Sequence, residues 1–122
     1  MRIRKSQMRE LGKGLRAREE ESIITTALQT AYPTKCAQMG GQQLLERIRK
    51  GTSRARTYGL EALEDRLAFI SVMLTFGDDF DRRSDTAWAQ EILVGNLSPG
   101  PKRELLLHRA RSVKGRSTHV PL

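Results

Sequence analysis

The segment at 61–76 constrains the fold most, because its nonpolar residues recur every three or four positions over about four helical turns. The first row at this spacing consists of Leu60, Leu63, Leu67, Ile70 and Leu74. A second row widens the nonpolar arc and consists of Phe69, Val72, Met73 and Phe76. A helix that is nonpolar around most of its circumference belongs in the middle of a helical bundle. The sequence therefore predicts an all-α fold with this helix at the centre.

Periodicity and helix-end signals predict four more helices. Together the predicted helices cover residues 6–31, 41–57, 61–76, 85–94 and 98–112. Pro33 and Gly59 follow the first two, at positions where a helix is expected to end. Ser84 or Asp85 can cap the fourth, and Pro99 suits the first turn of the fifth. We therefore expect four or five helices joined by short loops.

The size and composition of the chain suit one small helical domain. Its 122 residues are 38% hydrophobic and only 5% aromatic, which is typical of packed helices rather than a β-sandwich. We predict a single-domain bundle at 1–112, followed by a flexible basic tail at 113–122 that has no periodicity. The predicted centre of the core consists of Leu63, Leu67, Phe69, Ile70, Met73, Leu74, Phe76, Trp88 and Ile92.

Cysteine content and hydropathy indicate a cytoplasmic protein. Cys36 is the only cysteine, so no internal disulfide or multi-cysteine zinc site can form, and a reducing compartment is the default. No nonpolar run follows the basic N-terminus as in a secretion signal. No run approaches the length of a membrane span, so we expect no membrane partner.

Charge is distributed unevenly along the chain, whose formal net charge is +8. The segment 57–91 carries eight acidic and three basic residues, whereas the segments on both sides of it are basic. Basic surfaces attract nucleic acids, anionic lipids and acidic proteins alike. The charge pattern therefore predicts a binding protein without choosing its partner.

Catalytic and metal-binding patterns are weak in this sequence. His108 and His119 are the only histidines, and no glycine-rich phosphate loop is present. Carboxylates cluster at Asp78, Asp79 and Asp81, but the spacing fails the EF-hand pattern, and arginines follow directly. We expect these carboxylates to cap the next helix and to pair with basic residues nearby. The prediction is a protein that is not an enzyme and has no metal and no cofactor.

The second predicted helix carries the strongest candidate binding residues. Its basic set consists of Arg47, Arg49, Lys50, Arg54 and Arg56. Such a row can follow phosphates, but it lacks aromatic residues for base stacking, and the helix that follows is too nonpolar to enter a groove. The alternative, which we favour, is that these residues pair with the acidic segment or with an acidic partner.

Several short motifs resemble small helical proteins encoded in bacterial type VI secretion gene clusters, beside spike, tip and effector genes. The motifs are IRKG, RARTYGL, FG before DDFD, and WAQEIL. The matching positions are Ile48, Arg49, Gly51, Arg54, Ala55, Tyr58, Gly59, Gly77, Phe80, Asp81, Trp88, Ala89, Ile92 and Leu93. Phe76 and Ala87 depart from the pattern, which has leucine and proline there. The resemblance covers roughly residues 6–93 and implies an accessory role through protein contact, as a chaperone, co-adaptor or effector partner.

The leading hypothesis is a cytoplasmic, non-enzymatic accessory protein that binds an effector or adaptor protein. We expect the contact to use the basic set of the second helix together with Asp78, Asp79 and Asp81. One alternative is a nucleic-acid-binding module that uses the same basic surface and the tail. Another is a toxin-neutralising immunity protein, although such proteins usually present an acidic surface. The partner's identity and the oligomeric state are left open.

Overall fold

A computed structural model describes residues 5–118 of the chain and the side chains of residues 16–114. The described residues form five α-helices and one short 3-10 turn, with no strand among them. The helices are α1 (Lys5–Ala31), α2 (Pro33–Thr57), α3 (Leu63–Phe76), α4 (Ala87–Val94) and α5 (Pro99–Thr118), and the 3-10 turn covers Ser84–Thr86. The predicted all-α fold is confirmed.

Two helix boundaries differ from the prediction by more than two residues. α2 begins at Pro33, and the predicted start near Gly41 coincides instead with a kink at Gly40, whose φ of 79° is non-helical. A positive φ is accessible to glycine because it has no Cβ. α5 extends to Thr118 rather than ending near residue 112, so the first six residues of the predicted tail are helical. Residues 119–122, the rest of that tail, lie outside the described residues.

A row of nonpolar residues in the sequence explains why α5 continues beyond residue 112. Ala110 is buried and Val113 is half-buried, and they extend the nonpolar row that begins at Leu106 with steps of four and three residues. Packing on this row stabilises the last turns more than helix propensity alone would.

Contacts divide the chain into two compact units, Met1–Ile48 and Arg49–Leu122. Unit 1 contains α1 and the first part of α2. Its buried nonpolar residues are Ile24, Leu28, Cys36, Leu44 and Ile48. Backbone hydrogen bonds run through the joint of its two helices, from the Tyr32 amide to Leu28 and from the Cys36 amide to Tyr32.

Unit 2 contains the last turns of α2 and helices α3, α4 and α5. Its main core consists of Ala55, Leu60, Phe69, Val72, Met73, Phe80, Ala89, Ile92, Leu93, Leu106 and Ala110. Phe69 is central to this core, because its ring centroid lies 5.0 Å from that of Phe80 and 6.0 Å from that of Tyr58. Such tilted aromatic pairs add to the free energy gained by burial.

The predicted core is right in most members and wrong in some. Phe69, Ile70, Met73, Leu74 and Ile92 are buried as predicted. Leu63, Leu67, Phe76 and Trp88 are only half-buried, although the rings of Phe76 and Trp88 pack edge to face with centroids 5.5 Å apart. Phe80, which was assigned to a loop, is fully buried. α3 is thus nonpolar around more of its circumference than the core covers.

Among the described residues, no helix has both the length and the hydropathy required to cross a membrane.

Candidate functional site

The acidic motif, which consists of Asp78, Asp79 and Asp81, lies in the segment between α3 and α4. Gly77 ends α3 with a φ of 109°, and its amide donates a hydrogen bond to the Met73 carbonyl. The chain then turns so that the Phe80 side chain enters the core of unit 2. The Thr86 hydroxyl donates to the Phe80 carbonyl and holds the far side of this turn. The three carboxylates of this motif therefore lie in very different surroundings.

Asp81 is buried and bound inside unit 2. Only 1% of its side chain is exposed, and its Oδ1 lies 3.2 Å from Nη2 of Arg54. The Tyr58 hydroxyl donates a hydrogen bond of 2.7 Å to Oδ2. Arg54 also donates through Nη1 to the Asp78 carbonyl, so it ties α2 to the turn twice. The charge of Arg54 and the hydrogen bond from Tyr58 offset the cost of burying this carboxylate, although its Oδ1 accepts no hydrogen bond.

The structure therefore does not support Arg54 and Asp81 as residues that contact a partner. The Arg54 side chain is 15% exposed and Asp81 almost not at all, so neither offers a surface to another molecule. Their pairing is the alternative that the sequence analysis favoured, in which the arginines of the second helix bind the acidic segment.

Tyr58 is the third member of this internal group. Burial, followed by the hydrogen bond to Asp81 and the charge of Asp81, raises the pKa of the Tyr58 hydroxyl to about 12. Arg54 and Arg82 act in the opposite direction on that pKa without reversing it. The phenol is thus held in its neutral form, as a donor to the Asp81 carboxylate.

Asp78 and Asp79 remain at the surface, beside basic side chains. Asp78 Oδ2 lies 3.7 Å from Lys50 Nζ, with side-chain exposures of 30% and 54%. Arg83 pairs with Asp79 and with Asp85 at 3.0 Å each. We call these five residues, Lys50, Asp78, Asp79, Arg83 and Asp85, the mixed-charge surface.

Arg83 holds this surface in place and was not recognised from the sequence as a site residue. Besides its two carboxylates, it donates through Nη2 to the Phe76 carbonyl at the end of α3. A cation there also suits the partial negative charge of a helix C-terminus. The signal was present in the sequence, since Arg83 follows Asp79 by four residues and precedes Asp85 by two.

The remaining basic residues of α2 are split between the two units. In unit 2, Arg49 and Arg56 are exposed, with exposed Ser53 between them at helical spacing. In unit 1, Arg47 is half-buried and its Nη1 lies 3.2 Å from the sulfur of Met39. The structure therefore places Arg49, Lys50 and Arg56 on the outside of α2 in unit 2, where Lys50 lies beside the acidic motif.

Two basic residues of α5 have structural contacts that the sequence did not indicate. Lys102 is buried, and its Nζ donates to the Leu93 carbonyl at 2.8 Å and to the Tyr58 carbonyl at 3.2 Å. These carbonyls lie at the C-terminal ends of α4 and α2, where a cation is favourable. Arg103 binds the buried Asp65 of α3 at 2.7 Å. Both residues join α5 to its neighbours.

The predicted pairing of the acidic motif is confirmed, whereas the predicted capping is wrong. Neither the 3-10 turn nor α4 has a side-chain cap, and Asp85 pairs with Arg83 instead. Within the described part of the chain, no group of three histidine, cysteine, aspartate or glutamate residues has an arrangement that could hold a metal ion.

Comparison of the chain with protein-family models, with curated proteins and with solved structures finds no significant match. The resemblance to accessory proteins of type VI secretion clusters therefore stays a prediction.

Proposed function

We propose that this protein is a non-enzymatic accessory protein that binds a protein partner through the mixed-charge surface. The observation that carries the proposal is the distance of 3.7 Å between Lys50 and Asp78, because it joins the exposed basic face of α2 to the exposed acidic turn. Complementary charges across an interface fix the register of two proteins and exclude wrong partners. A surface with both signs in a fixed arrangement fits that role.

The carboxylates on this surface favour a protein over a nucleic acid. Asp79 and Asp85 are 60% and 71% exposed, and they would repel a phosphate chain lying along α2. The aromatic residue nearest in sequence to the arginines, Tyr58, has its hydroxyl bound to Asp81 and its ring packed towards Phe69, so it is not available as a stacking platform. A partner with its own pattern of acidic and basic side chains satisfies both halves of the surface.

The motif resemblance narrows the proposed partner to an effector or adaptor of a type VI secretion system, which this protein would assist in the cytoplasm. The supporting residues are those of the motifs that build unit 2: Gly77 ends α3, Phe80 enters the core, and Arg54 binds Asp81. They shape the surface without forming it, so the partner's identity has to come from experiment.

The test is a charge swap that leaves the net charge of the protein unchanged. In the variant Lys50→Glu with Asp79→Lys, the two signs exchange places while the formal charge stays at +8. We expect at least tenfold less of one stoichiometric protein partner to be captured from the source bacterium in moderate salt, a loss of about 1.4 kcal/mol. Capture is read by mass spectrometry, with and without nuclease.

The matched control is a swap on another exposed surface, Glu104→Lys with Arg111→Glu on α5. It should retain partner capture, because it preserves the mixed-charge surface. Equal capture by the wild type and the Lys50/Asp79 variant would overturn the proposal, and so would loss of the stoichiometric partner itself on nuclease treatment. Arg54→Glu is unsuitable as a test, because it would place two carboxylates together in the interior.

A further inference from the structure

A second charged surface lies on the C-terminal half of α5 and differs from the mixed-charge surface in sign. Arg109, Arg111 and Lys114 are exposed, and no acidic residue follows Glu104 in the helix. Glu104 itself lies 3.2 Å from Nη2 of Arg103, which partly neutralises it. The charged side chains that the structure describes after Glu104 in α5 are therefore all basic.

Helical geometry arranges these three cations in two rows, one of two residues and one of a single residue. At about 100° per residue, Arg111 and Lys114 lie on one side of α5, and Arg109 lies on the opposite side. The buried face, with Leu106 and Ala110, runs between the rows on the inner side of the helix. The outer side between the rows carries a ridge of small or polar side chains, exposed His108 and half-exposed Ser112. We call Arg109, Arg111 and Lys114 with this ridge the basic ridge.

We propose that the basic ridge binds double-stranded DNA without base specificity, with the ridge facing the major groove and each row of cations facing one phosphate strand. The major groove of B-form DNA is about 12 Å wide, and a helix with its side chains measures about 10–12 Å across. Two rows of cations on opposite flanks match a groove bordered by two anionic strands, whereas one row would follow only one strand.

The composition of the basic ridge favours DNA over a protein partner. It contains no phenylalanine, tyrosine or tryptophan. Leu105, one turn earlier on α5, is 38% exposed, but a single leucine is less than the cluster of anchors that dominates protein interfaces. Duplex RNA fits less well, because its major groove is too narrow and deep to admit a helix. The inference is independent of the proposed function, since it concerns a different surface and different residues.

The experiment measures binding of the full-length protein to a labelled B-form duplex of about 20 base pairs, by fluorescence anisotropy at rising salt. Three phosphate contacts predict an affinity that falls about 40-fold between about 50 and about 200 mM salt. The variant Arg109→Gln with Arg111→Gln removes one cation from each row and should reduce that fall to about 3- to 4-fold. Circular dichroism checks that the variant stays helical.

The matched control, Arg49→Gln with Arg56→Gln on α2, removes the same charge elsewhere and should keep the salt dependence of the wild type. The inference is overturned if the α5 variant keeps that dependence, or if the control loses as much of it, since net charge alone would then explain binding. Equally tight binding of duplex RNA or of polyglutamate would overturn the groove geometry. Arg109→Gln and Arg111→Gln, made singly, should each lower the slope by about 0.9, and an effect of only one would overturn the two-row arrangement.

Discussion

Asp78, Asp79 and Asp81 show how far neighbouring residues of one type can differ in role. Their side chains are 30%, 60% and 1% exposed. Phe80 causes the difference, because its burial in the core draws the next residue inside, where Arg54 and Tyr58 receive it. The sequence showed an aromatic residue inside an acidic motif, which was the available signal for a buried carboxylate. It did not show which arginine would pair with it, because Arg54 and Asp81 are distant in the chain.

Tyr58 gives a direct test of this internal group. Its pKa of about 12 lies above the value of about 10 of an unfolded chain, so the folded protein holds the proton more tightly. The raised pKa contributes to the stability of the fold, and this contribution is fully present below about pH 10 and is lost as the pH rises towards 12. In a Tyr32→Phe variant, where Tyr58 is the only tyrosine, absorbance at 295 nm at pH 11 should show about one tenth of the phenol ionised.

The reference for Tyr58 is the same variant in concentrated guanidinium, where about nine tenths should be ionised at pH 11. Circular dichroism at each pH confirms that the folded sample is folded. A midpoint near pH 10 in the folded protein would show that the phenol is not donating to a buried carboxylate.

At the scale of helices, α2 and α3 approach each other closely at Gly51. A Cβ added there would lie 2.5 Å from Cγ1 of Ile70 and 2.8 Å from the sulfur of Met73. A glycine within a helix normally costs about 1 kcal/mol relative to alanine, so packing must supply the reason for it. The sequence placed Gly51 correctly in a helix, but the close approach depends on the tertiary contact and has no local signal.

Gly51→Ala should therefore destabilise the protein despite the gain in helix propensity. Overpacking of a core typically costs about 1–3 kcal/mol, from which about 1 kcal/mol of propensity is regained. We expect a net loss of about 1 kcal/mol in the free energy of unfolding, measured by urea titration. Gly41→Ala is the control, because Gly41 also lies in α2 but has open space around its Cβ position.

The control variant should be neutral or more stable by up to about 1 kcal/mol. If Gly51→Ala were as stable as Gly41→Ala, the two helices would not be in close contact at this residue. Propensity acts in the same direction in both variants, whereas a new close contact arises only at residue 51.

Across the whole molecule, the sequence predicted the order of the helices and most of the core, because both depend on local periodicity. It predicted the candidate site less completely. Lys50 and Asp79 are exposed as expected and Asp78 is partly exposed, whereas Arg54 and Asp81 bind each other. Pairing across the fold depends on which helix faces approach, and the charge pattern of the sequence does not contain that information. The basic residues of α2 and of α5 therefore look alike in the sequence. Their surfaces differ because Asp78 lies beside Lys50 of α2, whereas the charged side chains described after Glu104 in α5 are all basic.

The two compact units differ in the size of their cores, which bears on how the molecule opens. Among the described residues, the buried nonpolar side chains of unit 1 include no aromatic ring, whereas unit 2 buries Phe69 and Phe80. A smaller core without aromatic rings gains less free energy from burial, and regions of that kind open at lower free energy than the rest of a protein. We therefore expect unit 1 to open first as urea is added.

Each unit contains one reporter of its own state, so this order can be measured. Cys36 is buried in unit 1 and is the only cysteine, and Trp88 in unit 2 is the only tryptophan. Burial raises the pKa of the Cys36 thiol, so in the closed unit it reacts slowly with a disulfide reagent. Labelling of Cys36 should become rapid at urea concentrations where Trp88 fluorescence is still native.

The variant Leu28→Ala removes a fully buried side chain of unit 1, so labelling of Cys36 should become rapid at a still lower urea concentration. Coincident transitions of both reporters, in the wild type and in this variant, would instead establish a single cooperative unit.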